Sequence, residues 1–302
     1  MNPAARRVPL GRRRWPDFAQ LMRLHRPVGI LLLLWPALWA LWLASGGLPD
    51  PWILGVFVLG TVLMRSAGCV INDYADRHFD GHVTRTRERP LVTRAVSEKE
   101  ALVLFAALIA ASALLVLTLN RATLLLSFAA VGLAMIYPFM KRHTHLPQVF
   151  LGAAFGWAVP MAFAAVSGAV PPLAWLVFTA VILWVLIYDT AYAMVDREDD
   201  LRVGIRSTAI LLGDLDRKFI GLAQGLMLTD LALVGLQAEL GWPYALGLVA
   251  AAASFAHQQW LIRGREPARC FRAFLANQWA GCAIFVGIAG DYALRTGGLA
   301  LN

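Results

Sequence analysis

Asn72, Asp76 and Asp80 recur at every fourth position, and so do Tyr192, Asp196 and Asp200. On a helix advancing about 100° per residue, each set spreads over only about 80° and forms one stripe. Asp73 stands beside the first stripe. Asp189 opens the second, and Asp199 flanks its end. Carboxylates held this close repel one another unless a cation lies between them. Magnesium is the natural cation: it takes one or two carboxylates and keeps its other positions for water and phosphate oxygens. The chemistry implied is therefore a divalent metal holding a phosphorylated substrate, with Asp76 and Asp196 as the central acids of the two sets.

These acids are concentrated. Thirteen of nineteen acidic residues fall in two polar segments, 72–100 and 189–218, within a chain of 302 residues that is 59% hydrophobic and only 15% charged. A soluble domain carries about a quarter charged residues, and the mean hydropathy of +0.62 places this chain in a bilayer. A spanning helix needs about 20 mostly apolar residues. Nine stretches qualify: 28–45, 52–71, 101–119, 122–140, 147–167, 171–190, 219–239, 242–262 and 274–295. The expected fold is all-α: a polytopic bundle of nine transmembrane helices around a central cavity, with the two acidic segments as loops on one side. Residues 1–27 form a basic arm, and residues 28–302 a single transmembrane domain. The two acidic segments each follow the second span of a four-span unit, a weak internal repeat in one orientation.

Charge placement agrees. With nine spans, 24 of 27 basic residues lie on the side of the N-terminus and of both acidic segments; Arg121 and Arg295 lie opposite, and Arg65 within a span. That asymmetry puts the N-terminus and both acidic loops in the cytoplasm of a bacterial inner membrane. The same basic face explains the pI near 9.9 by anionic lipid, with no nucleic acid partner. The cluster from Arg6 to Arg14 is not a cleaved signal, because the apolar run after it is too long. Cys69, Cys270 and Cys282 have no metal-ligand spacing and read as reduced.

Cations at the same ends would hold a diphosphate: Arg26, Arg89, Lys141, Arg142 and Arg206. Arg65 lies about two turns inside the second span on the face of Asn72, where a guanidinium needs a partner. Two partners are open: an ion pair with Asp73 or Asp76, or a substrate carboxylate. Asp291 with Arg295 four residues on reads as a surface pair. Asp230 sits in mid-span with no evident partner. Eleven tryptophans fall mostly at span ends, as interface belts do, and some could line an apolar channel. The plain alternative for the acids is a solvated helix end paired to Arg77, Arg85, Arg197 and Arg202. A cation-coupled transporter also uses repeated units with intramembrane charge, but here the acids cluster at one face rather than the midplane.

NDYADRHFD (72–80) and DTAYAMVDREDDLRVGIRST (189–208) resemble the two aspartate motifs of the UbiA superfamily of intramembrane prenyltransferases. RLHRPVGILLLLWPALWALW (23–42), MRSAGCVIND (64–73), RPLVTRAVS (89–97) and the stretch 137–165 resemble its hydroxybenzoate branch. The resemblance spans roughly residues 20–295. It implies magnesium-dependent transfer of a polyprenyl group from an allylic polyprenyl diphosphate to the ring of 4-hydroxybenzoate, ortho to the hydroxyl, a step of ubiquinone biosynthesis. The same chemistry on another aromatic or lipid acceptor is the alternative. By position, Asn72, Asp76, Asp80, Asp196 and Asp200 match metal–diphosphate ligands, with Asp73, Asp189 and Asp199 as acidic neighbours. Arg26, Lys141 and Tyr192 match positions that assist diphosphate binding or ionisation, and Arg142 or Arg65 would face the benzoate carboxylate. Tyr137 lies beside them on the substrate side. Arg94 and Arg206 depart from the expected pattern without leaving that face.

Overall fold

The computed structural model describes residues 14–77, 80–82, 86–144, 146–203 and 207–299. Every regular element among them is helical. The basic arm upstream of Arg14 lies outside the described residues, and so does Arg206. The side chains of Lys141 and Arg142 do too, although their backbone is helical.

A short helix, α1 (Trp15–Leu21), precedes α2 (Val28–Ser45), which ends where Gly46 takes the left-handed conformation at φ 61°. The helix α3 (Pro51–Asp76) starts at Asp50, whose side chain accepts from the backbone N–H of Trp52 at 2.8 Å and Ile53 at 3.1 Å. Ser97 and Glu100 form a reciprocal cap that starts α4 (Glu98–Val116). Asn120 caps α5 (Arg121–His143) and also donates to the carbonyls of Ala164 and Ala165, tying that turn to a distant segment.

The fifth expected span is two helices, α6 (Pro147–Gly156) and α7 (Ala158–Ser167), joined at Trp157. The cause is Pro160, which has no N–H to donate back to Gly156. Then come α8 (Pro172–Val203), the short α9 (Thr208–Leu212), α10 (Asp216–Gln237), α11 (Trp242–Leu261) and α12 (Pro267–Leu299). All nine stretches anticipated as spans are helical.

Seven helical segments among the described residues are long and apolar enough to cross a membrane. The chain is a multi-pass membrane protein. The two expected spans outside that set are α5, of which the described residues count only as far as Tyr137, and α11, whose last turns carry His257, Gln258 and Gln259. Length and hydropathy thus support seven of the nine.

The acidic segments differ from the expected loops. α8 runs thirteen residues past the anticipated limit of 190 and carries Asp189, Asp196, Asp199 and Asp200 on helix. Its 32 residues measure about 48 Å against a hydrocarbon core of about 30 Å, so its acidic end projects beyond the apolar layer. No proline or glycine interrupts it before Gly204.

The main core joins α2, α7, α8, α10 and α12 around Trp39 and Trp184, whose rings lie 5.2 Å apart. Trp39 donates to the Gly281 carbonyl at 3.0 Å, and Trp184 to Asn277 at 3.1 Å. A smaller core under α1 gathers Leu21, Met22, Ala67, Val70, Leu91 and Val96. Its position decides how the first acidic set is held.

Candidate active site

The first set sits on the last turn and a half of α3. Asn72 is half-buried, and its side-chain oxygen is buried without a hydrogen-bond partner. Asp73 is 1% exposed and takes Arg23 at 2.8 Å and Arg89 at 3.0 Å on the same oxygen. Arg89 also reaches Asp80 at 2.5 Å. Asp80 lies past the helix in a single turn of 3-10 geometry, whose carbonyl accepts from the Thr86 hydroxyl at 2.8 Å. Burial pushes the Asp80 carboxyl above the ordinary carboxylate value, while Arg89 pulls it back and Asp76 and Asp73 add to the rise.

Arg23 was not evident from sequence. Every arginine on a basic membrane face already has an explanation, so nothing marked this one. The structure singles it out through the smaller core: Leu21 and Met22 are buried against Ala67 and Val70, which draws the turn after α1 over α3. Arg23 itself takes φ 60° to make that turn.

The second set lies along α8. The Tyr137 hydroxyl, on α5, lies within electrostatic reach of Asp189, Asp76, Arg65 and Tyr192. Acids of α3 and α8 therefore lie around one tyrosine, although those helices do not pack along each other. Tyr192 packs against Phe274, ring centroids 4.8 Å apart and tilted by 55°. Tyr188, which the sequence did not suggest, is buried one turn deeper with its hydroxyl unpartnered, and it too faces Asp189, Arg65 and Tyr137.

Arg65 settles one alternative. Among the described residues it has no carboxylate in ion-pair contact. Its guanidinium donates to Cys69 Sγ at 2.6 Å and lies against Gly29, where a Cβ would come within 2.7 Å of Nη2. The expected pairing with Asp73 does not form because Arg23 and Arg89 already hold that acid.

Other expected residues fall elsewhere. Arg26 is exposed at the start of α2. Asp199 pairs with Arg202 on the open face of α8 at 3.6 Å. Arg197 turns away from the acids to the carbonyls of Ala209 and Gly213 and to Asp216. Asp216 and Asp214, counted with the second acidic segment, serve Arg265. Asp291 does pair with Arg295 at 2.7 Å, yet it is buried rather than a surface residue, since it also accepts from the Gly241 N–H at 2.8 Å. Asp230 is buried near Tyr244, whose hydroxyl is committed to the Leu231 carbonyl at 2.8 Å. Among the described residues no three His, Cys, Asp or Glu side chains come close enough to hold one ion by themselves.

The model of the UbiA prenyltransferase family matches residues 33–281. The chain belongs to that family. Its similarity to the 4-hydroxybenzoate octaprenyltransferase of Alkalilimnicola ehrlichii is 60% identity over 286 residues, 95% of this chain and 97% of that one. Among solved structures, the apo UbiA homolog from Aeropyrum pernix K1 superposes with a TM-score of 0.77 at 28% identity, over 87% of this chain and 97% of that one. The UbiA homolog from Archaeoglobus fulgidus bound to GPP and Mg2+ gives a TM-score of 0.69 at 18% identity, over 91% of this chain and 99% of its own. In this UbiA chain one acid of each aspartate motif, Asp76 on α3 and Asp189 on α8, lies within electrostatic reach of Tyr137, which neither motif contains.

Proposed function

We propose that this chain joins an octaprenyl group to 4-hydroxybenzoate, ortho to the hydroxyl, from an octaprenyl diphosphate dissolved in the membrane. Near-full-length similarity to a 4-hydroxybenzoate octaprenyltransferase supports the two substrates. One observation supports the site: Asp76 and Arg65 from one helix and Asp189 and Tyr192 from another all lie within electrostatic reach of Tyr137. The aromatic acid and the diphosphate can then meet at one place.

The donor set fits magnesium. Asn72 offers a buried, unpartnered carboxamide oxygen beside Asp76, and oxygen is what this ion takes. A cage of three acids is not needed, because the diphosphate supplies the remaining oxygens. We assign Asn72, Asp76 and Asp80 to one side of the metal–diphosphate group and Asp196 and Asp200 to the other. The relative from Archaeoglobus fulgidus is bound to GPP and Mg2+, and this supports the assignment. When bound, the metal neutralises the charge of the departing diphosphate. Asp199, already paired with Arg202, and Asp73, clamped by Arg23 and Arg89, serve as supports rather than ligands.

The remaining roles follow from position. Arg26, Lys141, Arg142 and Arg206 bind diphosphate oxygens, with Arg89 behind them on Asp73 and Asp80. Arg65, lacking a carboxylate of its own, receives the benzoate carboxylate. Tyr192, packed on Phe274, and Tyr137 line the path of the allylic C1 and shield its developing positive charge from water. As the C1–O bond breaks, the ring carbon ortho to the phenol oxygen attacks C1, and the Asp189 carboxylate takes the ring proton. The apolar tail lies in lipid. We place both acidic helix ends and the N-terminus in the cytoplasm, with nine crossings and residues 28–302 as one unit, because that topology keeps 24 of 27 basic residues on one side.

Incubation of the purified chain with 4-hydroxybenzoate, magnesium and octaprenyl diphosphate should yield 3-octaprenyl-4-hydroxybenzoate by mass. Asp76→Asn and Asp196→Asn should each abolish it while the protein stays folded. Full activity in either variant would refute the metal–diphosphate role of these acids.

A further inference from the structure

Away from Asp76 and Asp196, a second group of cations surrounds a cavity. It opens between the first turn of α10 and the turn joining α11 to α12. Its volume is about 360 Å³, and Asp214, Arg217, Lys218, Gly221, Gln259 and Arg265 line it. That is within the range of small-molecule pockets, about 300–1,000 Å³.

The acids there are already matched. Asp216, fully buried behind the cavity, takes Arg265 at 2.9 Å and Arg197 at 3.6 Å, and Asp214 takes Arg265 at 3.5 Å. Two cations are not matched. Lys218 is exposed and has no carboxylate in ion-pair contact among the described residues. Arg217 sends one nitrogen to the Arg263 carbonyl at 3.4 Å, while its Nε has no acceptor among the described residues. The wall is fixed, because Gln259 is held by Gln224 at 3.0 Å and by the Arg217 carbonyl at 3.4 Å. An oxyanion entering this cavity would meet the Arg217 guanidinium and the Lys218 ammonium, both of which line it.

The surroundings say where the anion comes from. Trp260 is exposed, with Arg263 and Arg269 over its ring at 5.2 and 5.4 Å, an arrangement suited to headgroup depth. Below Lys218 on the same helix, Leu222 and Leu226 are 64% and 50% exposed, which suits acyl chains. Basic pockets between membrane helices hold anionic headgroups by this combination of charge above and apolar surface below. We propose that the cavity binds the phosphodiester of an anionic phospholipid, through Arg217 and Lys218. The site lies behind the second aspartate set: Arg265 holds Asp216, and Asp216 with the Ala209 and Gly213 carbonyls holds Arg197, the neighbour of Asp196. Bound lipid braces the segment that follows α8.

The test follows the thermal unfolding of the full chain in a non-ionic detergent, with native mass spectrometry alongside. Phosphatidylglycerol should raise the midpoint by several degrees and remain bound as one molecule per chain. Phosphatidylcholine and millimolar inorganic phosphate should do neither. The double variant Arg217→Gln/Lys218→Gln should lose both effects, and Arg87→Gln/Lys99→Gln, with the same change of charge, should keep them. Lys218→Gln alone removes an exposed, unpaired side chain without touching the core, and it should weaken lipid retention at unchanged stability in detergent. An equal response to phosphatidylcholine, retention of the lipid effect in the Arg217/Lys218 variant, or an equal gain from inorganic phosphate would each overturn the headgroup site.

Discussion

Arg89 lies 3.0 Å from the buried carboxylate of Asp73, and it is one of two arginines that share the same oxygen of that acid. A carboxylate at 1% exposure is sustained by such pairing, and removing one partner of a buried pair costs about 3–5 kcal/mol. Asp73→Asn should therefore lower the unfolding midpoint sharply, because Arg23 and Arg89 lose their counter-charge together. Asp76→Asn should leave that midpoint nearly unchanged and eliminate transfer. Thermal unfolding of the two variants, side by side with a transfer assay, separates a structural acid from a ligand one position-class away in the same motif. Equal stability in both variants would show that Asp73 carries no such load.

Chelation is the second check. The oxygens of Asn72, Asp76, Asp80, Asp196 and Asp200 are assigned to a diphosphate bridged by magnesium. EDTA should stop product formation, and excess magnesium should restore it. The fold should be indifferent, because Asp73 and Asp80 are already paired with Arg23 and Arg89 without any metal. Transfer persisting at full rate in EDTA would remove the metal from the reaction.

Much of this was legible in the sequence, for physical reasons that also mark where reading stops. The nine apolar stretches became helices because within a bilayer every backbone group must be paired internally. The four-residue spacing of Asn72, Asp76 and Asp80 and of Tyr192, Asp196 and Asp200 marked one face of a helix, and those residues do lie on or just past helix ends. The unbroken run of α8 was not marked: the apolar stretch gives a span to 190 and the spacing of Tyr192, Asp196 and Asp200 gives a helical stripe, but nothing in the residues joins the two as one helix to Val203. Arg197 and Arg23 show the other limit. Both are cations on a basic face, yet one ties α8 to Asp216 and the other clamps Asp73. Only three-dimensional contact distinguishes them from cations that merely face lipid headgroups. Tyr188 was hidden because an apolar run offers no reason to notice one hydroxyl.

Gly281 gives a test of the core around the site. A Cβ there would come within 2.5 Å of Trp184 and 2.6 Å of Trp35. Trp39 also bonds the Gly281 carbonyl, so neither the backbone nor the rings can move freely. Gly281→Ala should destabilise by roughly 1–3 kcal/mol through overpacking. Gly132→Ala, on α5 with nothing within 4 Å, should be neutral or slightly stabilising, as alanine favours helix over glycine by up to about 1 kcal/mol. Unfolding midpoints of the two variants report the difference directly.

Arg65 is the residue assigned to the benzoate carboxylate. Its guanidinium is two turns inside α3, donates to the Cys69 sulfur and lies against Gly29, with no carboxylate in ion-pair contact among the described residues, and it acts electrostatically on Tyr137 and Tyr188. A hydrogen bond to a charged group contributes about 1.5–3 kcal/mol, so Arg65→Gln should raise the KM for 4-hydroxybenzoate roughly ten- to hundred-fold and leave the KM for the diphosphate alone. A general loss of packing would weaken both substrates. An acceptor without the carboxylate separates the cases further: 4-hydroxybenzyl alcohol should be a poor substrate for the wild type and equally poor for Arg65→Gln. The two changes then remove one shared contact and fail to add. If the variant lost the same factor with both acceptors, Arg65 would not be the carboxylate's partner, and the search would move to Arg142.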